Sequence, residues 1–138
     1  MIIADTGFFL ALANVRDRHH ARARDVARGL SEGLITTWPV LTETCHLLVS
    51  RLGVKAELTF LAGISNGAVK LFDLEPEHLP LIEALMERYA SLPMDLADAS
   101  LVVLAESLGS GRILSTDQRD FQTYRWKHRK PFKNLLLD

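Results

Sequence analysis

A single cysteine, Cys45, leaves the chain unable to close an intrachain disulfide, and nothing else in its composition suggests a secreted, stapled scaffold. A reducing, cytoplasmic setting is therefore the expectation. Long apolar runs are missing too. The opening Met1-Ile2-Ile3-Ala4 is cut by Asp5 and has no positive segment before it, so it is expected to be a buried strand, not a signal peptide or membrane anchor. Charge of one sign is not in excess: 16 Lys and Arg against 17 Asp and Glu give a net charge of -1, which speaks neither for nor against nucleic acid. Internal repeats, low-complexity tracts and linkers are absent as well, and 138 residues without them predict one domain spanning 1–138.

What is present suits a globular protein. Apolar residues make up 48% of the chain and charged ones 24%, enough of the first to build a core and too little of the second for a disordered segment. Charge is segregated along the chain. Arg16, Arg18, Arg22, Arg24 and Arg28 crowd one early segment, and Arg119, Arg125, Lys127, Arg129, Lys130 and Lys133 make the end basic, which leaves the middle acidic. Solvated helix faces and a basic tail account for both runs; neutralisation of phosphates is the functional alternative.

Residues 1 to 5 read as a strand and Phe8–Ala13 as a helix, with the junction at Asp5-Thr6-Gly7. A polar, Arg-rich helix follows from about His19 to Leu30, then a short strand at Leu34–Thr37. Pro39 opens a helix that Gly53 stops, and another covers roughly Lys55–Ser65. Asn66-Gly67 signals a turn, and Val69–Leu74 alternates as a strand does. Glu75-Pro76 opens a helix reaching Tyr89, and Pro93 separates it from one starting near Asp95 and ending at Gly109-Ser110-Gly111. Arg112–Ser115 is then a strand, and Thr123–Trp126 a last edge strand. Alternating strands and helices predict a three-layer α/β/α sandwich around a central parallel sheet.

In such sheets ligands bind at the carboxyl ends of the strands, a rule that tests the acidic residues. Asp5 ends the first strand and Asp117 follows the strand at 112–115, so both fall on that rim. Crossover helices run antiparallel to the strands, which brings Glu43, early in its helix, and Asp98, in the first turn of its own, to the same rim. Glu43 shares a face with Val40 and Leu47, and Asp98 with Leu101, Val102 and Ala105, so neither points freely into water. No Lys or Arg on those stripes is spaced to pair with them. A buried, unpaired carboxylate costs several kcal/mol or stays protonated. A bound cation resolves the conflict, and an all-carboxylate set without Cys or His favours Mg²⁺ or Mn²⁺ over zinc. Such an ion eases the deprotonation of water and offsets charge on a phosphodiester, so phosphodiester hydrolysis follows.

Each acid has a plainer role open to it. Asp5 could only cap the following helix. Asp95 could be an N-cap with Asp98 its third helical partner. Asp117 and Asp120 could merely shape a turn. Elsewhere, His19 and His20 read as solvated helix residues, and His46 as packed or solvent-facing unless it supports Glu43 from the next turn. Cys45 reads as a small buried side chain. Trp38 and Trp126 are surfaces able to stack on bases, with ordinary packing the default.

Taken together, Asp5-Thr6 after an apolar strand, Glu43 in Trp38-Pro39-Val40-Leu41-Thr42-Glu43, Asp98-Ala99 opening a helix, and Thr116-Asp117 with Asp120-Phe121 resemble the PIN domain over nearly the whole chain. Stand-alone PIN domains of this size resemble the VapC toxins of prokaryotic type II toxin-antitoxin pairs, endoribonucleases inhibited by a cognate antitoxin. The resemblance implies a PIN fold and an acidic quartet of Asp5, Glu43, Asp98 and Asp117 around Mg²⁺ or Mn²⁺. It implies hydroxyls of Thr6 and Thr116 that steady those acids or the water, with Asp95 and Asp120 as supporting acids. RNA is the implied substrate, an antitoxin the implied partner and a homodimer the implied state. The rival from another class is a catalytically inactive PIN-like module that binds RNA or serves as a scaffold. A receiver-like signalling domain would want an acid pair at the first strand and a lysine after a later one; Asp5 stands alone, and no lysine follows the strand at 112–115. A nuclease acting on DNA is the nearest alternative.

Overall fold

The fold is that of a computed structural model, in which residues 1–137 are described. Strand β1 (Ile2–Ala4) is buried along its whole length, and no polar residue alternates with its apolar ones. A strand of that kind needs cover on both faces, as in a parallel sheet. Chain order then gives α1 (Thr6–Ala13), α2 (His20–Gly29), β2 (Leu34–Thr37), α3 (Trp38–Leu52), α4 (Val54–Ser65) and β3 (Val69–Phe72). A 3₁₀ turn at Pro76–His78 leads into α5 (Leu79–Arg88), followed by α6 (Leu96–Leu108), β4 (Arg112–Leu114), α7 (Gln118–Thr123), β5 (Arg125–Trp126), β6 (Lys130–Pro131) and β7 (Lys133–Asn134).

The main sheet has five parallel strands in the order β3-β2-β1-β4-β7. Ile3 of β1 is in register with Ile35 on one side and Ile113 on the other, so the centre of the sheet is a row of isoleucines. The chain lays strands down on one side of β1, then returns to the other with β4. The carboxyl ends of β1 and β4 therefore form the crevice where strand order reverses.

Helix α6 is the central pillar. Ala97, Ala99 and Ser100 through Ala105 are all buried, far more than one apolar stripe would bury. Its polar Ser100 fits because its hydroxyl donates to the Ala97 carbonyl at 2.6 Å and meets the Thr37 hydroxyl at 2.6 Å. Gly109, in the left-handed region at φ 69°, closes the helix, and Gly53 at φ 96° ends α3, as the sequence predicts.

The end of the chain departs from the sequence reading. Thr123–Trp126 does not edge the main sheet. Gln118–Thr123 forms α7, and Arg125-Trp126 pairs antiparallel with Lys130-Pro131 in a separate two-stranded sheet whose turn holds Lys127 and His128 at positive φ. The seat beside β4 goes to Lys133-Asn134 instead. Asn134 secures it by donating from Nδ2 to the Ser115 carbonyl at 2.8 Å.

Two glycines are required by close approach, Gly111 beneath Trp126 and Gly7 beside Thr116. A Cβ at Gly7 would overlap the hydroxyl of Thr116, which packs against the first turn of α1. Gly7→Ala is expected to destabilise the fold by about 1–3 kcal/mol, the usual cost of overpacking a fitted contact. Urea unfolding checks it; an unchanged midpoint would mean that the loop after β4 yields freely.

Candidate active site

Asp5 follows β1 directly and is buried. One carboxylate oxygen accepts the Thr6 amide at 2.7 Å, capping α1, and the other accepts the Ser115 hydroxyl at 2.8 Å. Capping and site membership are thus one geometry. Burial pushes its pKa up to about 6, against the lowering effect of those hydrogen bonds, with the charges of Glu43 and Asp117 adding to the rise.

Asp98 lies in the first turn of α6, where its amide donates to the Asp95 carboxylate at 2.8 Å; Asp95 is the N-cap. The Asp98 carboxylate accepts the Tyr124 hydroxyl at 2.7 Å. Burial dominates its titration and lifts the pKa to about 8, with Asp5, Asp95 and Asp117 contributing like charge and Tyr124 opposing. Tyr124 is fully buried between Tyr89 and Phe121, each ring edge-on at 5.1 Å, and burial beside Asp98 drives its own pKa far above the ordinary phenol value. It therefore remains a donor at all working pH values.

Asp117 caps α7 by accepting the Asp120 amide at 3.1 Å, while its own amide donates to the Ser115 hydroxyl at 2.9 Å. Its pKa is raised by burial. Glu43, half-buried on α3, is also raised, by burial first and then by the charge of Asp95. The Thr6 hydroxyl eases that rise, yet it is buried and reaches hydrogen-bond geometry with no partner.

These side chains line one cleft of about 320 Å³. Asp5, Glu43, Asp98 and Asp117 all face it, as do Thr6, Asp95, Thr116 and Asp120. Within it the tightest carboxylate group is Asp98, Asp117 and Asp120, whose oxygens come within 4.8 Å of one another. Asp120 thus stands as close to the centre as Asp117, with its outer side bound by Arg119 at 3.0 Å. Asp5 and Glu43 line the cleft but lie outside that triple.

Three contributors lie outside the sequence reading. Ser115 ties Asp5 to the loop carrying Asp117; a hydroxyl at a strand end gives little signal by itself. Tyr124 reaches Asp98 only through the folding of the chain end. Arg51 lines the cleft with Glu43 and Leu47, and this positive charge was legible: 43, 47 and 51 are spaced by four on one helix face. Among the described residues Arg51 makes no ion pair. Other residues fall away from the cleft. His20 binds the Ala11 carbonyl at 2.7 Å, Cys45 packs near Glu57, and the basic hairpin sits at the opposite end of β4, where Trp126 covers Gly111.

The donor set fits a hard divalent cation. Every ligating side chain in the cleft is an oxygen donor, the carboxyls of Asp5, Glu43, Asp98 and Asp117 are pushed towards protonation, and the buried Thr6 hydroxyl awaits a partner. Asp98, Asp117 and Asp120, with Asp5 and Glu43 beside them, are the residues able to hold one.

A pH dependence follows with a definite sign. Asp5 and Asp98 keep their protons to higher pH when folded than when unfolded, so from about pH 4 to pH 8 the folded state binds more protons and stability falls as pH rises. Glu32, shifted the other way, titrates below that window. In chelator, Tm is expected to be lower at pH 8 than at pH 5, and Asp98→Asn to flatten most of the slope. A Tm rising across this range would show the carboxyls to be compensated already.

Comparison with known proteins bears on the family and the fold. Ribonuclease VapC26 of Mycobacterium tuberculosis (strain ATCC 25618 / H37Rv) is 28% identical over 124 residues, covering 90% of this chain and 92% of the relative. The crystal structure of Mycobacterium tuberculosis VapC20, described as a sarcin-ricin loop cleaving toxin, superposes with a TM-score of 0.80 at 22% identity, over 86% of this chain and 92% of that one. At that identity the likeness is one of fold. The PIN domain family matches residues 2–127, nearly the full length, and the chain belongs to the PIN domain family.

Proposed function

We propose that residues 1–138 act as one PIN domain with divalent-cation-dependent endoribonuclease activity, the toxin of a toxin-antitoxin pair. The observation that carries this reading is the cleft itself: acids from the ends of β1 and β4 and from the starts of α3 and α6 meet there, outnumbering the two arginines beside them, Arg51 in the wall and Arg119 on Asp120, in a chain of this family. The relative named a ribonuclease supports RNA as the substrate. On this reading the chain works in the cytoplasm as a homodimer, and a cognate antitoxin protein restrains it. Among the described residues no helix is long and apolar enough to cross a membrane.

Asp98, Asp117 and Asp120 would hold Mg²⁺ or Mn²⁺, with Asp5, Glu43 and Asp95 beside them and the Thr6 and Thr116 hydroxyls facing in. When bound, the ion acidifies water and offsets charge building on the phosphodiester. The protein's own part is arrangement. Tyr124 fixes the Asp98 carboxylate through its hydroxyl, and Ser115 fixes both Asp5 and the loop of Asp117. Glu43, whose pKa burial raises, would orient the attacking water and take its proton as the new phosphorus–oxygen bond forms, and the leaving ribose oxygen would take up a proton from solvent as its bond to phosphorus breaks. Arg51 binds a non-bridging phosphate oxygen of the substrate.

The deciding experiment is cleavage of a total RNA pool by wild type and Asp98→Asn across a Mg²⁺ and Mn²⁺ titration, with cut sites mapped. Cleavage is expected to need the ion and to fall about 100-fold or more in the variant. RNA binding without turnover at any ion concentration would favour the inactive module, and equal cleavage by both proteins would remove the assigned role of Asp98. Mg²⁺ at one hundred times its Kd is expected to stabilise the fold by about 2.7 kcal/mol, read as a rise in Tm. Tyr124→Phe should cost about 10- to 100-fold in activity while preserving the fold, as far-UV circular dichroism checks. Arg51→Ala should raise KM and reduce the slope of log KM against log salt by about 0.7, the share of one phosphate contact on single-stranded RNA.

A further inference from the structure

Past Glu43 and Asp95 the acid cleft opens into a second recess of about 780 Å³, which the chemistry above leaves unused. Its character is different. Trp38, Thr42 and His46 of α3 line one side, and Leu74 and Leu96 the other. Trp38 is 55% exposed and Leu96 46%, although the apolar residues that follow them, Val40, Leu41, Ala97 and Ala99, are core. Trp38 and Leu96 together give the recess an apolar, partly aromatic wall open to water beside a charged cleft.

We propose that this recess is a nucleobase subsite, in which the base next to the scissile phosphate stacks on Trp38 with His46 at its polar edge. This rests on the ribonuclease reading and adds the substrate's position to it. Continuity carries the argument: Glu43 and Asp95 belong to the walls of both hollows, so a nucleotide whose phosphate lies at the acids has its base delivered to the recess through its ribose. Charge selects which part enters. A phosphate would meet Glu43 and Asp95 without a cation between them, whereas a neutral base meets an indole, two leucines and an imidazole. Stacking on an aromatic face tolerates every base, and the polar edge is where one base is told from another. A paired base would be hidden in its helix, so the subsite takes single-stranded or looped RNA.

The chain's tryptophans make the test direct. Trp126 is buried and Trp38 exposed, so quenching by RNA reports on Trp38. The probe is a short single-stranded oligoribonucleotide spanning a mapped cut site, together with versions carrying one abasic position moved along it. With Asp98→Asn protein in Mg²⁺, the intact probe is expected to quench the emission saturably, and Trp38→Phe in that background to abolish the quenching. An abasic site at one position beside the cut should weaken binding about 5- to 150-fold, and abasic sites elsewhere should not. In the active protein Trp38→Ala should raise KM by a similar factor, and Trp38→Phe should recover most of it.

RNA cleavage by the wild type with no KM change in Trp38→Ala and no sensitive abasic position overturns the subsite and leaves the ribonuclease reading standing. A wild type that cuts no RNA with any divalent ion overturns both. Sedimentation in which Trp38→Ala converts a dimer to monomer gives the recess to a second copy of this chain, and that too overturns the proposal.

Discussion

Carboxylates held close together out of water repel one another, and the rest of this structure is arranged around that repulsion. Burial alone lifts Asp5 and Asp98 well above ordinary carboxylate behaviour, and their neighbours raise them further. The cost is met locally by donors that the fold aims at the cleft. Asp5, Asp95 and Asp117 each cap a helix, so α1, α6 and α7 all present their amino ends to the same rim, where free amides and the helix dipole favour negative charge. The opposite end of the sheet makes a useful contrast. There Glu32 is paired with Arg112 and with the amino terminus, and its pKa drops to about 2. One end of the strands has its charges matched by protein; at the other only Asp120 is paired, with Arg119, and Arg51 in the cleft engages no acid among the described residues.

What made the rim legible in advance was topology more than any one motif. Strands alternating with helices imply parallel strands, parallel strands imply that crossover helices begin at the carboxyl edge, and that places Asp5, Glu43, Asp98 and Asp117 together although they are spread over 113 positions of sequence. Helical phase added which way Glu43 and Asp98 point. Reading each acid as either a cap or a cleft residue proved a false choice, since Asp5, Asp95 and Asp117 cap helices whose amino ends line the acidic cleft.

Less was legible where a side chain reaches the site through tertiary packing. Tyr124 sits in a segment whose alternation reads as an edge strand, and what decides otherwise is competition: Lys133-Asn134 takes the place beside β4, freeing Tyr124 to turn inward between two rings and bond Asp98. Of the two tryptophans expected to pack, Trp126 does and Trp38 does not. Trp126 is covered because Gly111 leaves a flat space under it, whereas Trp38, forced to the start of α3 by Pro39 behind it, has no such surface. Nothing in the local sequence around either residue encodes the presence or absence of a glycine on another element.

The same reasoning explains why the loops of this cleft are tied down. A cation-binding set on mobile loops could relax its repulsion by spreading apart, and the ion would then have to gather the carboxylates at its own expense on every binding event. Here the Ser115 hydroxyl holds Asp5 while accepting the amide of Asp117, Asn134 grips the backbone of Ser115, and Thr116 packs against Gly7 so closely that no larger residue fits. The acids therefore cannot drift apart without breaking contacts in the core. Repulsion of this kind destabilises the empty cleft and would be released by a cation entering it, so rigidity of the scaffold and the proposed affinity of the site would be two expressions of one arrangement.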